Sequence, residues 1–233
     1  MTSEVAFVDD QGRRAVLKRC RNPQYIEWIQ REQRVLAALS DTSLPIPRVI
    51  GYHEVRTDGR AADVWLLMTH LPGESLWDIV QRSTIEDRVG HFRSLGTLLR
   101  QVHSTPPPNE FRAGPSWIDR ALAQARGNLP WCDGSPELLA QLEASRPAPE
   151  REVLIHGDLA LDNVLADTDG GMALIDWSGG DRGDARYDLT LALATEPELH
   201  LRDEDVGAFF EAYGRRPIDA ATRQWFTNLY EFF

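Results

Sequence analysis

Polar side chains are concentrated in one short stretch of the chain, residues 154–165 (LIHGDLALDNVL), which is apolar at both ends. Its polar members are His156, Asp158, Asp162 and Asn163. A second apolar stretch, residues 173–177 (ALIDW), contains a further carboxylate, Asp176. Asp158, Asn163 and Asp176 together offer hard oxygen ligands of the kind that suits Mg²⁺, and one carboxylate to spare. Taken jointly, they predict a catalytic centre.

The chain also uses its basic residues unevenly. Of 25 basic residues, 24 are arginine and one, Lys18, is lysine. A single lysine in a strand is usually a surface residue whose stem lies along the sheet, and Glu32, in the helix that follows, is by itself more often a solvated charge. The alternative is functional, because a lysine ammonium is a compact point charge that a guanidinium does not replace.

The elements that would position these residues divide the chain near residue 70. Residues 4–8 and 14–20 are predicted to form a hairpin around the turn at 9–12. A helix with apolar residues near helical spacing follows Pro23. Two further strands are predicted over residues 48–54 and 63–68. Residues 1–70 are therefore predicted to form a small antiparallel sheet with one helix.

Residues 71–233 are predicted to be mainly helical. A helix over residues 88–103 should end before the three prolines at 106–108. A short strand at 153–155 is expected to be followed by a polar loop, a hairpin around 168–171 and a further strand at 172–175. The fold class is predicted to be α+β, with a small N-lobe at 1–70 and a larger helical C-lobe at 71–233.

Composition excludes several classes of function. The 233 residues carry a net charge of −11 without a basic stripe, so a nucleic-acid partner is not expected. No apolar run reaches the roughly 18 residues of a membrane span, and no signal pattern opens the chain, so we expect a cytoplasmic protein without a membrane partner. Cys20 and Cys132 fit neither a metal site nor a disulfide framework. A monomer or weak dimer is expected.

The motif His-Gly-Asp-x-x-x-x-Asn at 156–163, followed by Ile-Asp-Trp at 175–177, resembles the catalytic and metal-binding loops of the aminoglycoside phosphotransferase family. These are small-molecule kinases with a protein-kinase-like, two-lobed fold. Residues 16–18 (VLK) resemble the lysine strand of that fold. The other matching segments, in the family's order, are Glu32, the hinge at 66–73 (LLMTHLPG), the helix at 95–103 and the helix start at 183–189 (GDARYDL).

The resemblance implies a role for each matched residue. Asp158 would orient the acceptor hydroxyl and accept its proton, and Asn163 and Asp176 would hold Mg²⁺. Lys18, steadied by Glu32, would bind the α- and β-phosphates of ATP or GTP. The hinge residues implied to contact the nucleotide are Met68, Thr69 and Leu71. The residues implied to support the catalytic loop are His156 and Asp188.

The C-terminal sequence LYEFF resembles that of the kanamycin/neomycin class within the family, in which terminal acids and the chain-end carboxylate bind the cationic drug. Glu231 and the Phe233 carboxylate match, whereas Tyr230 stands in place of an aspartate. Glu198 is a further expected acidic contact. The implied acceptor is an aminoglycoside antibiotic, and the implied role is antibiotic resistance.

Charge supports a cationic acceptor. Residues 150–233 carry 18 acids against 7 arginines, whereas residues 1–149 are balanced. Such a potential attracts a polycation. The competing explanation is solubility together with a compositional bias. Other acceptors that fit the same chemistry are a macrolide, choline, homoserine or a sugar.

The sequence departs from the family pattern in two places. Only 17 residues precede Lys18, so the family's first strand and phosphate-covering loop are expected to be shortened or missing, with weaker nucleotide binding. Ser178 and Gly179 stand where the kanamycin/neomycin class has Gly-Arg. The short N-terminal part motivates a nucleotide-binding pseudokinase as an alternative.

A second alternative lies outside the kinases. It is a metal-dependent hydrolase that would use His156, Asp158, Asp162 and Asp176 as ligands and bases. This alternative leaves Lys18 and the hinge without a role.

Overall fold

A computed structural model describes residues 3–111, 114–167, 170–194 and 199–233. Its strands are β1 (Glu4–Asp10), β2 (Arg13–Cys20), β3 (Val49–Thr57), β4 (Arg60–Thr69), β5 (Glu74–Ser75), β6 (Val153–Ile155), β7 (Val164–Ala166), β8 (Met172–Leu174) and β9 (Asp181–Gly183). Its helices are α1 (Ile26–Ala38), α2 (Leu76–Arg82), α3 (Ile85–Ser104), α4 (Trp117–Asn128), α5 (Pro136–Ala144), α6 (Ala185–Leu191), α7 (Asp203–Tyr213) and α8 (Ala220–Tyr230). The α+β class is confirmed.

The chain forms two compact units. The first comprises residues 1–79 and 161–180, and the second comprises residues 80–160 and 181–233. The predicted division into an N-lobe at 1–70 and a C-lobe at 71–233 stays a prediction. What the packing adds is that residues 161–180, distant in sequence, belong to the first unit.

The first unit is built on a four-stranded antiparallel sheet in the order β1-β2-β4-β3. Both of its hairpins close through two residues with positive φ, Gln11-Gly12 (53° and 83°) and Asp58-Gly59 (51° and 77°). Such turns match the right-handed twist of the flanking strands and use no further residues. The strands are therefore longer than predicted, with β1 reaching Asp10 and β3 reaching Thr57.

Helix α1 covers one face of this sheet. Val64, Leu66 and Met68 alternate along β4 and are all at most 3% exposed, as expected when one face of a strand is buried. Ile29 and Leu36 of α1 are likewise buried. The helix begins at Ile26, three residues after Pro23, because the Asn22 carbonyl first accepts the Tyr25 amide in a turn.

A smaller sheet, ordered β5-β7-β8, completes the first unit. It is tied to the rest of the unit by the Leu174 amide, which donates to the Pro45 carbonyl at 3.0 Å. The predicted strand at 172–175 ends one residue early, at Leu174. Of the predicted turn at 168–171, residues 168–169 lie outside the described residues.

The second unit is mainly helical, with β6 and β9 as its one short antiparallel pair among the described residues. Helices α3 and α7 approach closely at Gly96, where a β-carbon would lie 2.2 Å from the Phe209 carbonyl oxygen. Trp117 and Tyr187, with ring centroids 4.9 Å apart, belong to an aromatic core that includes Phe226. No helix within the described ranges is long and apolar enough to cross a membrane.

Candidate active site

Lys18 is the centre of a charged cluster in the first unit. Its Nζ lies 2.8 Å from Glu32 Oε1 and 2.9 Å from Glu32 Oε2, which joins strand β2 to helix α1. Asp176 Oδ1 lies 3.3 Å from the same nitrogen. The structure thus brings together three residues that the sequence separates by up to 158 positions, and the surface-lysine interpretation is wrong.

Burial controls the charges in this cluster. Glu32 is 1% exposed, and this burial raises the pKa of its carboxyl to about 7 against the opposing effect of Lys18. For Lys18 itself, burial acts to lower the pKa, but the carboxylates of Glu32 and Asp176 outweigh it, so the pKa is raised above its usual value. The ammonium therefore stays charged, and Glu32 depends on that charge to ionise.

Asp176 has an uncommon backbone conformation. Its φ and ψ are 61° and 62°, in the left-handed region, which aspartate tolerates better than most residues. The buried Trp177 that follows donates its backbone N–H to Glu32. The Asp176 side chain remains 43% exposed. A strained residue held at the edge of a charged cluster, with its carboxylate accessible, is typical of functional sites.

Asn163 lies at the same end of the β7–β8 hairpin as Asp176. Strand β7 pairs Val164 with Leu174, and one residue further on the Ile175 amide donates to the Asn163 carbonyl at 3.0 Å. The hairpin register therefore places an amide oxygen and a carboxylate on neighbouring chain segments.

This donor set fits Mg²⁺, which commonly takes one or two protein oxygen ligands and completes its shell with waters and substrate phosphates. The described residues contain no group of three or more His, Cys, Asp or Glu side chains that could hold a metal ion. His156, one of the residues that the hydrolase alternative would use, is 0% exposed.

Asp158 belongs to the second unit, in the loop after β6. The backbone of this loop is fixed by Asp188, whose carboxylate accepts the His156 amide at 2.6 Å and the Gly157 amide at 2.9 Å. Both Asp188 and His156 are 0% exposed. Gly157 has a φ of 80°, which favours glycine at this bend. Asp188 thus holds two consecutive amides of the loop, and the supporting roles expected for His156 and Asp188 stay predictions.

His103 completes this support, and sequence reasoning gave it no role of its own. Its Nε2 lies 3.1 Å from Asp188 Oδ2, and its Nδ1 lies 2.8 Å from Tyr213 Oη. Because a carboxylate only accepts, Nε2 carries the proton in the neutral ring and Nδ1 accepts from the tyrosine. The available signal was a histidine in the last turn of a predicted helix.

Tyr230, at the end of α8, contacts the predicted base directly. Its Oη donates to Asp158 Oδ1 at 3.1 Å. Glu231 and Phe233, two of the predicted acceptor contacts, follow Tyr230 in the chain and are both exposed. The predicted acceptor contact Glu198 lies outside the described residues.

Of the predicted hinge residues, Met68 and Thr69 are the last two residues of strand β4, and Leu71 follows two positions after the strand ends. Met68 is 3% exposed, so its side chain belongs to the core of the first unit. Thr69 is bound to Arg48, whose amide donates to Thr69 Oγ1 at 2.9 Å and whose carbonyl accepts the Thr69 amide at 2.9 Å. Leu71 is partly exposed. A nucleotide contact here would therefore involve backbone more than the Met68 side chain.

Comparison with known proteins decides the class of this site. The sequence pattern of the phosphotransferase enzyme family matches residues 2–226. The chain belongs to this family. It is therefore a phosphotransferase, and the motif resemblance is confirmed. Among curated relatives of this phosphotransferase, the aminoglycoside 3′-phosphotransferase of Streptomyces fradiae is 29% identical, over 89% of this chain and 77% of the relative.

Solved structures agree with the fold. An aminoglycoside-3′-phosphotransferase of type VIII superposes with a TM-score of 0.76 at 26% identity, covering 100% of this chain and 94% of the other. A thermostable mutant of the aminoglycoside phosphotransferase APH(4)-Ia, solved with ADP and hygromycin B, has a TM-score of 0.62 at 20% identity, covering 82% and 68%. The latter shows the shared kinase-like fold, and its own structure holds a nucleotide.

Proposed function

We propose that this phosphotransferase moves the γ-phosphoryl group of ATP or GTP, with Mg²⁺, to a hydroxyl of an aminoglycoside antibiotic. The observation that carries the phosphoryl-transfer chemistry is the Lys18–Glu32–Asp176 cluster, which holds an ammonium next to an accessible carboxylate. The acceptor is supported by four curated relatives, each named an aminoglycoside 3′-phosphotransferase, at 25–29% identity.

In this proposal Lys18 binds the α- and β-phosphates. Phosphoryl transfer has little covalent chemistry for a protein to perform, so positioning and charge neutralisation supply most of the catalysis. The bidentate contact with Glu32 fixes the direction of the Lys18 side chain before the nucleotide arrives. The resulting saving in ordering entropy favours binding.

Asn163 and Asp176 would hold Mg²⁺, whose contribution when bound is to neutralise charge on the phosphates. The position of Asp176 supports this assignment, because its carboxylate lies 3.3 Å from the Lys18 ammonium and remains 43% exposed, so a cation can reach it. Met68, Thr69 and Leu71 are proposed to lie beside the base of the nucleotide. In functional terms, residues 1–70 would bind the nucleotide and residues 71–233 would supply the catalytic loop, the metal ligands and the acceptor site.

Asp158 would orient the acceptor hydroxyl and take its proton. This role is supported by the rigidity of its loop, in which Asp188 accepts two consecutive backbone amides. A base is effective when it is held within hydrogen-bond reach of the hydroxyl, and a loop fixed at its backbone provides that.

The acceptor would be recognised by negative charge. Glu198, Glu231 and the Phe233 carboxylate are the proposed contacts with the drug's ammonium groups, and the excess of acids over residues 150–233 supports a polycation. We expect the protein to act in the cytoplasm, as a monomer or weak dimer. Its role would be antibiotic resistance.

A coupled ADP-release assay tests the proposal. Kanamycin- and neomycin-type aminoglycosides would be compared with an aminoglycoside lacking the 3′-hydroxyl, a macrolide and small alcohols such as choline and homoserine. We expect ADP release that depends on Mg²⁺ and on an aminoglycoside with a free 3′-hydroxyl.

Turnover with only a macrolide or a small alcohol would reject the aminoglycoside acceptor while keeping the kinase chemistry. Thermal stabilisation by Mg-ATP without turnover of any acceptor would instead favour a nucleotide-binding pseudokinase module.

A further inference from the structure

The contact between Tyr230 and Asp158 links the last helix of the chain to the catalytic loop. Tyr230 is the final residue of α8, and its phenol donates to Asp158 Oδ1 at 3.1 Å. The two residues are 72 positions apart in sequence. Tyr230 remains 39% exposed and the hydrogen bond itself is exposed, so an incoming molecule can reach the contact.

The chain end that carries Tyr230 is firmly anchored within the second unit. Phe232 is 0% exposed, and its carbonyl accepts from Asn128 Nδ2 at 2.8 Å. The Glu231 carbonyl accepts the Gly134 amide at 3.0 Å. A β-carbon on Gly134 would lie 2.4 Å from the Phe232 ring, which shows how closely the two segments pack. The position of Tyr230 is therefore built into the fold.

The geometry reproduces the contact that a general base makes with its substrate. A base must lie about 2.6–3.2 Å from the hydroxyl whose proton it takes, and the Tyr230 hydroxyl occupies this range on Asp158. A phenol and an acceptor hydroxyl are the same kind of donor to the same carboxylate oxygen.

We propose that Tyr230 is a positioning residue that takes the place of the acceptor hydroxyl on Asp158 until an acceptor displaces it. The inference rests on the proposed function, because it requires Asp158 to be the base. As a consequence, water is kept from Asp158 Oδ1 when the nucleotide is bound without an acceptor, and hydrolysis of the nucleotide is suppressed.

The suppressed reaction is ordinary hydrolysis of the nucleotide. The oxygen of a water molecule would form a bond to the γ-phosphorus as the bond from that phosphorus to the β–γ bridging oxygen breaks. The water proton would pass to Asp158, and the products would be the nucleoside diphosphate and inorganic phosphate. Tyr230 opposes this reaction by holding the oxygen that would orient the water, and an acceptor must break the same hydrogen bond to enter.

The test is Tyr230→Phe, which removes the hydroxyl and keeps the ring. Tyr52→Phe is the matched control, because Tyr52 is similarly exposed and donates to Glu54 Oε2 at 2.8 Å, far from Asp158 in sequence and in the other unit. Mg-ATP hydrolysis without acceptor, and KM and kcat for the best aminoglycoside, would be measured for both variants and the wild type.

We expect hydrolysis by Tyr230→Phe to rise about threefold to tenfold, the effect of losing one hydrogen bond of typical net strength at an exposed position. The KM for the acceptor should fall while kcat stays close to that of the wild type, and Tyr52→Phe should match the wild type in both assays. A general loosening of the structure would lower kcat and the thermal midpoint and would not lower KM.

Unchanged hydrolysis and unchanged KM in Tyr230→Phe would overturn the inference, provided that the wild type turns over an aminoglycoside. Phosphate found on Tyr230 by mass spectrometry would also overturn it, because the phenol would then be an acceptor. A wild type that phosphorylates no acceptor would overturn the proposed function and this inference together, and the wild-type assay alone distinguishes that case.

Discussion

The two units hold their candidate catalytic groups in different ways. In the first unit, Lys18, Glu32 and Asp176 hold one another through opposite charges, and the outermost carboxylate is 43% exposed. In the second unit, the loop that carries Asp158 is fixed through the fully buried Asp188, whose carboxylate accepts two of the loop's backbone amides. The first arrangement leaves a carboxylate accessible to a ligand, whereas the second fixes the backbone of the catalytic loop. Substitutions in the first should therefore cost activity, whereas substitutions in the support of the second should cost stability as well.

The largest expected effect is on the base. Asp158→Asn removes the proton acceptor and keeps an oxygen for Tyr230, so kcat should fall by about 10²–10⁴-fold, the usual contribution of a general base, with little change in thermal midpoint. ADP release under saturating acceptor measures it. Asp162→Asn, an exposed aspartate four residues away that binds Ser75, is the control and should keep wild-type kcat.

The next effect concerns the only lysine. Lys18→Arg keeps the charge and changes its shape, and we expect turnover to fall by about 10²-fold or more, as when a preorganised charge is lost from a transition state. The thermal midpoint should change little. Arg19→Lys is the converse exchange at the neighbouring residue, which binds Asp63 and packs over Trp65. Near-wild-type turnover by Lys18→Arg would remove Lys18 from the phosphate site.

Substitution of the buried Asp188 should reduce the stability of the protein, whereas the two preceding substitutions reduce turnover with little change in stability. Asp188→Ala leaves the His156 and Gly157 amides and His103 without their acceptor, so the free energy of unfolding should fall by about 3 kcal/mol. Urea denaturation followed by fluorescence measures it. A variant as stable as the wild type would contradict the distinction between the two units.

Much of the site was predictable because its functional residues lie within short sequence motifs. Asp158 and Asn163 fall within one loop, and Lys18 is conspicuous as the only lysine. The contact between His103 and Asp188 was not predictable, because it joins residues 85 positions apart whose types alone suggest no partner. The contact between Tyr230 and Asp158 was likewise not predictable, because the sequence identified Tyr230 only as a departure from the family.

The fold, like the site, could be predicted from the sequence only in part. Helix and strand positions were predictable from periodicity, whereas strand lengths were not, because they depend on turns of two residues at Gln11-Gly12 and Asp58-Gly59. The packing of residues 161–180 with the first unit depends on long-range contacts such as that of Leu174 with Pro45. Local patterns carry no information about such contacts.

The smallest expected effect is a pH dependence of stability in the first unit. Since burial raises the pKa of Glu32 from 4.5 to about 7, the folded state binds a proton that the unfolded state has released between these values. Its contribution to the free energy of unfolding should therefore decrease as pH rises from 4.5 to about 7. Lys18 titrates well above this window.

Glu32→Gln isolates this contribution. The difference in unfolding free energy between the wild type and Glu32→Gln should favour the wild type more at the acidic end of the window than at the neutral end. A difference that does not vary with pH would show that Glu32 keeps an ordinary pKa.

The most direct test of the account is the product itself. A neomycin-type aminoglycoside would be incubated with Mg-ATP and either the wild type or Asp158→Asn, and the drug analysed by mass spectrometry and NMR. We predict that the wild type adds one phosphoryl group to a single hydroxyl and that Asp158→Asn, at equal concentration and equal thermal stability, yields almost none. An unmodified drug with the wild type, or equal yields from the two proteins, would contradict the account.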